Sequence, residues 1–111
     1  MNPDGLNDDD VLALIALTRV LVAADGHLGV EEMKELQEIG LDIGVDRYTK
    51  LCRKVDSMKN LTVDSALELA KAVDREDAQA LVRTMLVDLA ATDGIDVAEQ
   101  DLIDRLTGVW A

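Results

Sequence analysis

Two stretches of the chain are apolar on almost every side of a helix. Between Val11 and Ala24 the residues Val11, Leu12, Leu14, Ile15, Leu17, Val20, Leu21 and Val22 leave only Thr18 and Arg19 polar. A helix with so small a polar face is usually central and covered on several sides. The second such stretch holds Ala80, Leu81, Met85, Leu86, Leu89 and Ala90. Four more segments repeat apolar residues at helical spacing. They are Val30, Met33, Leu36 and Ile39; Tyr48, Leu51, Cys52, Val55 and Met58; Val63, Ala66, Leu67, Ala70 and Val73; and Leu102, Ile103, Leu106, Val109 and Trp110. No segment alternates apolar and polar residues over strand length, so no sheet is expected.

The breaks between these segments carry helix-end chemistry. Asn7 or Asp8 can cap the first helix, and Asp8, Asp9 and Asp10 complement its positive end. Asp25-Gly26 ends it, because glycine tolerates the left-handed backbone that closes a helix. Gly29-Val30-Glu31-Glu32 restarts the chain into a second helix that continues to Gly40 or Ile43. Asp46 is the expected cap of a third helix, Thr62 of a fourth, and Asp74 followed by Asp77 opens a fifth. Asp93-Gly94 ends the fifth, and Asp96 with Glu99 forms the capping-box spacing that opens a sixth. The expected architecture is all-α: a compact bundle of about six helices in a single domain over residues 8–111, after a flexible tail over residues 1–7.

Composition sharpens this picture. With 111 residues the chain has the size of one domain. Phe is absent and Pro occurs once, so Leu, Val, Ile, Ala and Met must build the core, and almost nothing breaks a helix. The net charge of −12 repels phosphate backbones and anionic lipid, which argues against nucleic acid or a membrane surface as partner. A single cysteine, Cys52, has no internal disulfide partner and no zinc-ligand spacing. The start, MNPDGLNDDD, is acidic where a signal peptide is basic, and the longest apolar run is too short to span a bilayer. The expectation is a cytoplasmic protein without direct membrane insertion.

The two long apolar helices, each ending in Asp-Gly and each followed by a capped acidic helix, look like an internal duplication. The run Ala24-Asp25-Gly26-His27-Leu28-Gly29-Val30-Glu31-Glu32 resembles the first signature of the TerB-like domains, the tellurite-resistance TerB proteins and the N-terminal domain of the DjlA co-chaperones. Thr92-Asp93-Gly94-Ile95-Asp96-Val97-Ala98-Glu99 resembles their second signature, with Thr92 in place of the usual Ala and one residue fewer. The resemblance implies a bacterial all-α domain with pseudo-twofold symmetry, associated with tellurite and other stress resistance. It also implies a divalent-cation site built from Asp25, Glu32, Asp93 and Glu99.

The acids can be weighed directly. An EF-hand places Asp-Gly at its fifth and sixth positions and a Glu at its twelfth. Counted from Asp25 the twelfth position is Glu32, but the first and third are Leu21 and Ala23. Counted from Asp93 the same positions are Gln100, Leu89 and Ala91. Neither turn is an EF-hand, so a cation would need acids from both turns, and oxygen ligands would favour Ca²⁺ or Mg²⁺ over zinc. Against this, Asp25, Asp93, Glu32 and Glu99 all have capping roles that require no metal.

Other candidate chemistry is sparse. His27 has no Ser, Cys or second His beside it in sequence and reads as a turn residue. Cys52 adjoins Arg53 and Lys54 but lies on an apolar stripe and reads as a small core residue. Arg47, Lys50, Arg53, Lys54 and Lys59 fall off that stripe, and Arg53 with Lys54 could dock an acidic partner or the acidic face of a second copy in a homodimer. Arg19 and Asp88, each inside an apolar helix, are expected at the core edge near one another. No nucleophile–base pair, phosphate loop or metal motif supports an enzyme. The expected function is a non-enzymatic TerB-like module that binds a partner protein. The alternative is a stress protein that binds Ca²⁺ or Mg²⁺ through its acidic turns.

Overall fold

A computed structural model describes residues 3–25, 30–58, 61–91 and 97–110, with side-chain placement for all of these except Pro3, Ala24, Asp25, Glu31 and Glu32. The expected apolar segments all become helices: α1 (Asp8–Asp25), α2 (Val30–Ile43), α3 (Val45–Asp56), α4 (Val63–Ala70), α5 (Glu76–Ala91) and α6 (Val97–Val109). No strand occurs among the described residues. The Cα radius of gyration is 12.6 Å, against about 13 Å for a folded chain of this length. None of the helices among the described residues is long and apolar enough to cross a membrane.

Helix α1 is the axis of the bundle. It packs against α3, α4, α5 and α6, which is why a helix with almost no polar face is stable there. Val11, Leu14, Ile15, Leu17 and Leu21 are buried, as are Leu86 and Leu89 of α5 and Leu106 of α6. Truncating one of these leucines to alanine would cost about 2–5 kcal/mol through lost burial and the cavity left behind. Arg19 is exposed and pairs with Asp56 across a 2.6 Å contact. Arg19 and Asp88 do not pair: Asp88 is exposed on α5, and the acid that Arg19 meets lies at the end of α3.

The caps decide the helix boundaries. Asn7 caps α1: its side chain accepts from the Asp10 amide at 2.8 Å, and the Asp10 carboxylate accepts from the Asn7 amide at 3.1 Å. Thr62 caps α4 in the same reciprocal way with Ser65. Asp46 does not cap α3. The helix starts at Val45, two residues before the Arg47 that an Asp46 cap would place first, because Gly44 takes φ 113° and turns the chain directly from α2 into α3. Helix α5 begins at Glu76, beyond the expected Asp74.

Within residues 1–7, Pro3–Gly5 forms a 3-10 turn and Leu6 is buried. Arg47 Nη2 donates to the Leu6 carbonyl at 2.7 Å, and Arg75 Nη2 donates to the buried Asp10 carboxylate at 2.5 Å. The hydrogen bond with Asp10 holds the Arg75 guanidinium above its ordinary value. Two arginines from distant parts of the chain thus tie the start of α1 to the rest of the bundle.

Candidate functional site

The residues proposed from the acidic turns are only partly within reach. Asp25 is the last residue of α1 and Glu32 lies in the first turn of α2, and both are described as backbone alone. Asp93 and the whole corner from Thr92 to Asp96, and His27 in the first corner, lie outside the described residues. Glu99 is described. It sits in the first turn of α6 and is only 3% exposed. An acid there faces the positive end of the helix, which offsets part of the cost of burying it. Among the described residues no group of three or more His, Cys, Asp or Glu is placed to hold a metal ion.

Arg53 and Lys54 are exposed in the last turn of α3. Cations at that position complement the negative end of the helix, so they have a local electrostatic role whether or not a partner meets them. Leu51 and Val55, on the expected stripe, are buried, and Tyr48, Cys52 and Met58 are half-buried.

Cys52 and Tyr48 line a hollow of about 320 Å³ with Thr18, Arg19, Val22 and Leu36, where α1, α2 and α3 meet. Burial pushes the Tyr48 phenol up to about 12, with Cys52 adding to the rise and the charge of Arg19 opposing it. Burial alone would lower the Arg19 guanidinium. Its interactions with Cys52 and Asp56 outweigh that, so it is held above its ordinary value. Arg19 at this hollow is already engaged by Asp56.

The second face of α2 departs most from expectation. Val30 is 70% exposed and Met33 47%, although both belong to the expected apolar stripe; of that stripe Ile39 is buried and Leu36 half-buried, and Ile43 joins them in the core. The cause is geometric. Each three-residue step falls about 60° short of a full helical turn, so residues spaced only by three spread around the helix. Val30 and Ile39 therefore point to opposite sides. Leu41 at 67% and Val45 at 56% exposure join Met33 on the outside. Gln37, Gly40, Leu41, Val45 and Tyr48 line a second hollow of about 320 Å³ between α2 and α3. Counting angle instead of spacing would have found this surface in the sequence.

In comparisons with protein-family models, curated proteins and solved structures, nothing matched this chain.

Proposed function

We propose that this chain is a non-enzymatic helical module, TerB-like in kind, that acts by docking a partner protein. The observation that carries this is the exposed apolar pair Leu41 and Val45, which line a hollow with Tyr48 where α2 meets α3, with Met33 also exposed about two turns earlier on α2. Exposed apolar side chains grouped around a hollow and rimmed by polar residues mark interaction sites. The likeness to TerB-like domains rests on the two Asp-Gly signatures, and a six-helix all-α bundle agrees with it. The test is affinity capture on the immobilised chain, followed by recombination of each captured protein with this chain in purified form. A stoichiometric complex that re-forms from the two pure components is expected. Failure of every captured protein to re-form one overturns the proposal.

A second reading rests on the resemblance alone: Asp25, Glu32, Asp93 and Glu99 hold Ca²⁺ or Mg²⁺. Millimolar cation then raises the melting temperature, and Asp25→Asn with Asp93→Asn abolishes the rise. An unchanged melt removes the cation from the account.

A further inference from the structure

Met33, Gln37 and Leu41 follow one another at four-residue intervals along α2, so they share one face of that helix. All three are exposed. Gly44 turns the chain immediately after α2, which brings Val45 alongside Leu41 at the same hollow. The strip from Met33 to Leu41 runs about 12 Å along the helix, the length of two turns. Its apolar residues can be covered by one helix laid in the groove, through side chains spaced at i, i+4 and i+7.

The charge around the strip narrows what that helix can be. Helix α2 has the acids Glu31, Glu32, Glu35, Glu38 and Asp42 against a single base, Lys34. Glu38, Asp42 and, at the start of α3, Asp46 are exposed. We propose that this groove receives a cationic amphipathic helix of a partner protein. Its apolar side chains cover Leu41, Val45 and Tyr48, and its flanking lysines or arginines meet Glu38, Asp42 and Asp46. The proposal rests on the protein-docking function given above and specifies the partner's chemistry. A second copy of this chain is the poorer occupant. With a net charge of −12, two copies meeting on this face would bring Glu38 and Asp42 of each towards those of the other.

The experiment uses the whole chain and a fluorescent synthetic peptide of leucine and lysine, about five helical turns long, with its leucines on one face. A peptide of the same composition with the leucines scattered separates groove binding from charge attraction. The double variant Leu41→Ser/Val45→Ser removes apolar contact without changing charge, and both positions are exposed, so folding should be retained. The expected result is binding of the amphipathic peptide that is weakened about tenfold or more in that variant, with Asp64→Asn/Glu68→Gln on α4 having a much smaller effect. Equal binding of the scattered peptide overturns the proposal, as does unchanged affinity in the double variant. A peptide-free dimer of the native chain that the double variant dissociates also overturns it, since a second copy would then be the occupant. None of these results prevents a captured protein from re-forming a complex with this chain, so the broader docking function stands or falls separately.

Discussion

The Tyr48 ring occupies the space into which a side chain at Gly40 would project: a Cβ built on Gly40 stands 2.8 Å from Tyr48 Cδ1 and 3.0 Å from Cε1. This contact lets α2 and α3 approach closely, and it sets the floor of the groove between Leu41 and Val45. Gly40→Ala should therefore destabilise the bundle, even though alanine is the better helix former by about 1 kcal/mol. Overpacking costs about 1–3 kcal/mol, which leaves a net loss of up to about 2 kcal/mol on urea unfolding. In a Tyr48→Ala background the same substitution should become neutral or stabilising. Equal losses in both backgrounds would show that the ring is not what Gly40 makes room for.

The Tyr48 phenol offers a pH test that needs no label, because it is the only tyrosine in the chain. In the native protein it should ionise at about 12, and after denaturation near the ordinary value of about 10. Its absorbance in the ultraviolet reads both directly. The unfolded chain thus releases this proton at lower pH than the folded one. The contribution of Tyr48 is complete below about pH 10 and is lost as the pH rises towards 12. Tyr48→Phe should flatten that part of the alkaline loss of stability. A native titration near 10 would contradict the half-buried placement of the ring.

The reciprocal bonds between Asn7 and Asp10 start the central helix. Replacing Asn7 with Ala removes the acceptor for the Asp10 amide and should cost about 1 kcal/mol. For a domain of this size that is a fall of roughly 4–8 °C in melting temperature. Asn7→Ser should recover most of it, as serine caps nearly as well. A thermal melt that does not distinguish Ala from Asn at this position would mean the cap does not form.

Much of the helical architecture was legible in the sequence, and the reasons are local. The apolar runs of α1 and α5 leave little room for any other structure, and the Thr62 cap lies within four residues of its partner Ser65. What the sequence did not disclose depends on angle and distance. The exposed face of α2 does not show in three-residue spacing, because residues so spaced wind round the helix from Val30 to Ile39. Asp46 looked like the cap of α3, but the positive φ of Gly44 places the corner earlier. The partner of Arg19 proved to be Asp56, 37 residues away, and not Asp88. Helical periodicity reports which face a residue lies on and carries no information on which distant side chain it will meet. Leu6 carries no periodic signal by itself, so its burial and the arginine ties around it were not foreseen.

The docking surface can be mapped most directly by nuclear magnetic resonance of the methyl groups of this chain, titrated with the amphipathic Leu/Lys peptide. The methyl signals of Met33, Leu41 and Val45 should shift first and most, with the Tyr48 ring following and Leu67 of α4 unmoved. Shifts centred on α4, or spread evenly over the acidic surface with no preference for these residues, would contradict the account.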